Sequence, residues 1–200
     1  MKIGLYFGSF NPVHNGHMVI ANYMAEFTDL DRVWLVVSPH NPLKPLGSLL
    51  ADHHRLTLVT KAIGDYRKLK ASNIEFGLTK PSYTINTLVN LQEKYPKNSF
   101  ALIMGSDSLA TLHKWKNYEM ILADYEIYVY PRPGYDGGKF STHPKVKIID
   151  APLMELSASF IRKAIHEKKD VRFMLPLDAF NYLDEMGFYK KTTSNTIGNK

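Results

Sequence analysis

The run Val33-Trp34-Leu35-Val36-Val37 constrains the fold of this chain more than any other stretch. Five apolar residues stand together, β-branched for the most part, with no polar residue alternating between them. Such a run suits a strand covered on both faces, and strands of that kind belong to parallel sheets with crossover helices on each side. The stretch Arg32–Ser38 is therefore expected as a buried strand inside a layered α/β domain.

The rest of the chain keeps to that plan. Lys2–Phe7 reads as a first strand, broken by Gly8-Ser9-Phe10-Asn11-Pro12. Asn15-Gly16 opens a helix with Ile20, Met24 and Phe27 on its apolar face. Asp52 is a candidate cap for a helix carrying Leu56, Val59 and Ile63. Asn73–Phe76 reads as a third strand. Ser82 or Thr84 starts a helix with Ile85, Leu88 and Val89 that closes before Pro96. Ser99–Met104, Tyr125–Tyr130 and Val146–Ile149 read as three more strands. Ser157 or Ser159 caps a helix bearing Ile161, Ala164 and Ile165, and a last helix over Leu177–Met186 stops at Gly187. This alternation predicts a Rossmann-like, doubly wound, mainly parallel sheet with helices on both faces. No internal repeat interrupts it. One domain is expected over residues 1–189, with 190–200 as a flexible polar tail.

Composition narrows the chemistry. The 200 residues include no cysteine, which excludes disulfides, thiol catalysis and cysteine-ligated zinc. No apolar run approaches the roughly 18 residues of a membrane span, and Met-Lys leads straight into a strand, unlike a signal peptide. A cytoplasmic protein without membrane attachment is the expectation. The net charge of +6 fits a solvated basic surface or a pocket that collects anions. Nucleic acid is not expected as a partner, because the basic residues are dispersed and no binding module stands out.

In open parallel sheets, ligands sit beyond the carboxyl ends of strands, near the point where strand order reverses. The unusual residues fall there. After the first strand comes Gly8–His17, GSFNPVHNGH. Its glycine is suited to close approach of a phosphate, and the helix start beyond it offers free N–H groups to an anion. His14 and His17 are three residues apart at that helix start, so they can point the same way. Two imidazoles there form a donor array for a phosphoryl group gaining charge. The segment is neither a Walker A loop nor a GxGxxG turn, and no HExxH pattern accompanies the pair, so no protein-bound metal is expected.

The run Gly8–His17 resembles the signature of the HxGH nucleotidyltransferases, with His14 and His17 in the two histidine positions. Four further segments resemble the bacterial nicotinate-nucleotide adenylyltransferase family in order and spacing: SPHNPLK (38–44), PSYTINTL (81–88), GSDSLATLHKW (105–115) and LSASFIR (156–162). Arg132-Pro133-Gly134-Tyr135 also fits. The resemblance covers residues 1 to about 189. LSASFIR departs from the family's commoner Ile-Ser-Ser-Thr or Ile-Ser-Ala-Thr wording, although Ser159 keeps a hydroxyl.

That resemblance implies transfer of the adenylyl group of ATP to nicotinate mononucleotide, with Mg²⁺ accompanying ATP. It places His14 and His17 on the ATP phosphates as the catalytic pair. Gly8 and Phe10 fall beside ATP, Gly105 and Asp107 at ribose hydroxyls, and Ser157, Ser159 and Arg162 at the outer phosphates. Ser9 and Lys44 would hold the acceptor phosphate. Trp115 would stack on the pyridine ring, with Tyr83, Thr84 and Thr87 shaping its pocket and Arg132 contacting phosphate or base. Nicotinamide mononucleotide as acceptor and a non-catalytic nucleotide sensor on the same fold stand as alternatives. A homo-oligomer is left open.

Overall fold

Six strands form one sheet in which every neighbouring pair runs parallel, in the order β3-β2-β1-β4-β5-β6. They are β1 (Lys2–Gly8), β2 (Arg32–Val37), β3 (Leu69–Ser72), β4 (Ser99–Gly105), β5 (Glu126–Tyr130) and β6 (Val146–Ile148). The helices are α1 (Asn15–Phe27), α2 (Asp52–Ile63), α3 (Thr84–Lys94), α4 (Ser106–Ala110), α5 (Tyr118–Asp124), α6 (Ala158–His166) and α7 (Leu177–Glu185). The structure, a computed structural model, describes residues 1–39 and 49–191. Lys44 and the expected tail from Thr192 onward lie outside them. Among the described residues no helix is long and apolar enough to cross a membrane.

Each central strand feeds two cores, because successive side chains leave opposite faces. In β2, Val33, Leu35 and Val37 enter one cluster with α1, α2, α6 and α7, whereas Trp34 and Val36 enter the other with α3, α4 and α5. In β4, Ala101 and Ile103 take the first side, and Phe100, Leu102 and Met104 the second. The unbroken apolar run of β2 is thus accounted for: all five of its residues are buried. Strand order reverses between β1 and β4, which open the crevice expected of this architecture.

Four local expectations need correction. The third strand is Leu69–Ser72, and Ile74–Gly77 is a short 3₁₀ turn. Lys70 conceals the strand, yet β3 is a sheet edge, where lysine is common; its ammonium lies 4.3 Å from the centre of the Trp34 ring. The face of α2 is rotated by one residue, so that Arg55, Leu58 and Val59 are buried while Leu56 and Ile63 are only half-buried. Phe27 and Val89 lie outside the core, at 67% and 43% exposure. The short helices α4 and α5 follow β4 where the sequence offered only a motif.

Candidate active site

Strand β1 ends at Gly8, and its exit turn is built from the side chains of the turn itself. Phe10 adopts φ +44, a left-handed conformation that residues with a Cβ seldom take. Its ring is buried at 1% exposure and meets Tyr6 edge-on at 5.8 Å. A Cβ at Gly8 would stand 2.8 Å from the tip of that ring, so Gly8 makes room for Phe10 and not simply for a phosphate. Asn11 carries the turn onward. Its side-chain oxygen accepts from the Leu50 N–H at 3.2 Å and from the Tyr189 hydroxyl at 2.6 Å.

The turn delivers His14 as the residue capping α1. The His14 backbone N–H donates to His17 Nδ1 at 3.2 Å, and the two rings stack with centres 3.7 Å apart. In neutral His17 the proton therefore sits on Nε2, making that nitrogen a donor. The Phe10 ring supports His17 edge-on at 5.0 Å. Gly16 leaves space for His14, since a Cβ there would approach His14 Nδ1 to 3.0 Å. Burial, and then the nearby charge of Arg132, push the His14 pKa down to about 4, so this ring is neutral at pH 7. The His17 N–H donates to the His14 carbonyl at 2.9 Å, whereas the Asn15 and Gly16 N–H groups before it have no carbonyl inside the helix to bond. Beside the imidazoles they form a positive wall suited to a phosphate.

Across the crevice, β4 ends at Gly105 and passes into α4 with Asp107 in its first turn. Arg132 follows β5. Its N–H donates to Ser106 Oγ at 2.9 Å, its Nε lies 3.9 Å from Asp107 Oδ1, and its guanidinium is 5.6 Å from the Tyr130 ring centre. His14, His17, Tyr6, Tyr130, Arg132 and Leu156 line one narrow cavity. Next to it an open cleft of about 370 Å³ is walled by Asp107, Arg132, Pro133, Tyr135, Met154 and Glu155. That volume is within the range of small-molecule sites.

Helix α6 stands against the turn after β1. Ser157 Oγ caps it by accepting from the Phe160 N–H at 3.2 Å. Arg162 donates to Ser159 Oγ at 3.2 Å and to the Asn11 carbonyl at 2.8 Å, tying α6 to the turn after β1. Ser157 and Ser159 are exposed.

The expected base-pocket residues are assembled in part. Tyr83 is the residue before α3, and Thr84 is its first residue. The Lys116 ammonium stands 4.6 Å from the Tyr83 ring centre, which ties the segment holding Trp115 to the start of α3. Trp115 is half-buried against the α3–α5 core. Thr87 behaves differently. It is fully buried and its hydroxyl donates to Glu75 Oε1 at 2.7 Å, so its contact is with Glu75. Among the described residues no cluster of three or more histidines and carboxylates has the arrangement of a metal site.

Residues that the sequence reading did not name for the site also shape it: Arg55, Asn11, Tyr130 and Met154. Arg55 carried a readable signal, because it shares an i, i+3, i+4 stripe with Leu58 and Val59. Met154 and Asn11 sit in irregular segments whose direction only the tertiary packing sets.

Comparison with known proteins agrees with this arrangement. The Cytidylyltransferase-like family matches residues 5–164. A protein of Christiangramia forsetii named "Probable nicotinate-nucleotide adenylyltransferase" is 54% identical, over 94% of this chain and 98% of its own length. A protein of the same name from Flavobacterium psychrophilum is 56% identical, over 96% of this chain and 100% of its own. The Plasmodium falciparum nicotinic acid mononucleotide adenylyltransferase, solved in complex with NaAD, superposes with a TM-score of 0.78 at 21% identity, covering 94% of this chain and 97% of that one, a likeness of fold. With a site at the sheet reversal, an imidazole pair at a helix start and relatives matched end to end, the chain belongs to the Cytidylyltransferase-like family and, within it, to the nicotinate-nucleotide adenylyltransferases.

Proposed function

We propose that the chain transfers the adenylyl group of ATP to nicotinate mononucleotide, giving nicotinate adenine dinucleotide and pyrophosphate. The observation that carries this reading is the His14–His17 pair at the start of α1, facing Arg132 across the cavity between β1 and β5.

The acceptor phosphate has a second pKa near 6 and is largely dianionic at neutral pH. One of its oxygens attacks the α-phosphorus of ATP. A new P–O bond forms, the bridging α–β bond breaks, and its electron pair leaves with pyrophosphate, so no proton need be removed from the nucleophile. The protein's work is then alignment and stabilisation of charge on the α-phosphoryl oxygens. His17 donates from Nε2 at the α-phosphate. His14 is held neutral by burial and keeps a donor beside it without the desolvation cost of a buried cation.

Within this reading the open cleft takes the nucleoside end of ATP, with Asp107 accepting from ribose hydroxyls beside Gly105. Ser157, Ser159 and Arg162 hold the outer phosphates. Ser9 and Lys44 hold the acceptor phosphate, Trp115 stacks on the pyridine ring, and Tyr83 and Thr84 border it. Gly8, Phe10 and Thr87 serve by shaping these walls. Mg²⁺ accompanying ATP would be held mainly by phosphate oxygens and water, and would supply neutralisation of phosphate charge. Asp107 and Glu155 are carboxylates that wall the described cleft, and Asp107 faces Arg132.

The test is pyrophosphate release with ATP or CTP against nicotinate mononucleotide, nicotinamide mononucleotide and phosphopantetheine. Turnover is expected with ATP and nicotinate mononucleotide. Turnover with phosphopantetheine alone would refute the reading, and binding without turnover would favour a nucleotide sensor.

A further inference from the structure

Arg55 lies in the first turn of α2 with its side chain completely buried. A guanidinium has five N–H donors in a rigid planar fork. Here all five are used. Nε donates to the Leu50 carbonyl at 2.9 Å. One terminal nitrogen donates to the Ser9 carbonyl at 2.6 Å and the Ser38 carbonyl at 2.7 Å. The other donates to the Pro39 carbonyl at 3.0 Å and to Asp52 Oδ1 at 2.6 Å.

The four carbonyls belong to three separate stretches: the turn after β1, the chain leaving β2, and the chain returning to α2. Backbone oxygens aimed at a common point lose their partner together if the fork is removed, and each buried loss is costly. Lysine offers three donors from one atom and cannot reproduce the geometry. The second oxygen of Asp52 lies 3.8 Å from Lys80, at the entrance to the Tyr83–Thr84 segment. Every bond of Arg55 therefore goes to the turn after β1, the chain leaving β2 or the start of α2, and none goes to Asp107, Arg132 or Ser157–Arg162.

We propose that Arg55 is a positioning residue for the acceptor half of the site, fixing the spacing between the turn that carries Ser9 and the chain leaving β2. The reading of an acceptor phosphate at Ser9 rests on the function proposed above. The clamp itself is a matter of backbone geometry, so the two can fail separately.

The test uses the full chain with Arg55→Lys and Arg55→Ala. Steady-state rates are taken with nicotinate mononucleotide and ATP varied in turn, and amide hydrogen exchange is followed without substrate. The lysine variant should raise KM for the acceptor about tenfold or more while KM for ATP stays within about twofold. Exchange should quicken over residues 8–11, at Ser38 and over 49–52, and stay unchanged in β4 and β5. Guanidinium ion added to the alanine variant should lower the acceptor KM again. Equal rises in both KM values, or faster exchange throughout the sheet, would reduce Arg55 to a general stabiliser and overturn the proposal. If the alanine variant does not fold, the lysine variant decides. If the wild-type enzyme does not turn over nicotinate mononucleotide, the functional reading fails instead. Exchange then decides the clamp: unaltered exchange over residues 8–11 and at Ser38 in the lysine variant would overturn it.

Discussion

The two ends of the sheet handle charge in opposite ways. At the amino ends of the strands, Lys2, Asp29, Glu126 and Lys147 form a closed quartet. Lys2 pairs with Glu126 and lies 2.7 Å from Asp29, and Lys147 lies 3.4 Å from Asp29 and 3.2 Å from Glu126. The Tyr128 hydroxyl bonds both carboxylates. Lys2 and Tyr128 hold the Asp29 carboxyl far below its usual range, and Lys2 lowers Glu126 in the same way. At the carboxyl ends, beside the cavity, the pairing is looser: Arg132 Nε stands 3.9 Å from Asp107 Oδ1. Arg132 Nε and His14 Nδ1 are buried without a hydrogen-bond partner, and the Arg132 charge acts against protonation of His14. One end spends its charges on itself. The other keeps its positive field for something that is not part of the chain, at a cost in stability.

Substituting across the two ends should separate these roles, and the largest effect belongs to catalysis. His17→Ala should lower kcat by about 10²-fold or more, as for loss of a transition-state donor, while the melting temperature barely moves. A near-normal kcat with a raised KM would mean that His17 serves ground-state binding.

The next effect is in pH. His14 has a folded pKa of about 4 against an ordinary 6.5. Between those values the unfolded chain binds a proton that the folded chain refuses, so stability falls as pH falls from 6.5 toward 4. The slope from this one group reaches about 1.4 kcal/mol per pH unit. His14→Gln should remove that slope in denaturant titrations at pH 7, 6 and 5. A slope that survives would place the acid sensitivity elsewhere. The quartet titrates in a lower window. Its carboxyls are depressed, so their contribution holds above ordinary values of 3.8 and 4.5 and fades as pH falls below them.

The smallest effect is Asp29→Ala. It should cost about 1 kcal/mol, less in high salt, because the quartet is partly solvated. Its kcat should be unchanged. A fall in kcat with this variant would show that the two ends are not independent.

How much of this was legible in the sequence depends on the range of the forces involved. Local periodicity carried the strands β1, β2, β4 and β5 and the cap at Ser157, because each depends on nearby residues. The imidazole pair at a helix start was legible for the same reason, since His14 and His17 lie one turn apart. For Arg55 only the burial was legible, from the stripe it shares with Leu58 and Val59; its bonds were not, because they arise where three distant stretches converge. The partner of Thr87 was not legible for a related reason: its hydroxyl answers to Glu75, twelve residues earlier, on a turn read as a strand. Strand β3 was hidden by Lys70, whose charge is tolerated only because the strand lies at the edge.

The packing of the Gly8–His17 turn bears on how its substitutions should be interpreted. Gly8 is filled by Phe10 and Gly16 is bordered by His14, so a methyl group added at Gly8 collides with the Phe10 ring and one at Gly16 crowds the His14 ring, before either meets a ligand. Inactive variants at those two glycines would register the failure of a self-shaped mould. An inventory of ligand contacts taken from loss-of-activity scans would count them wrongly.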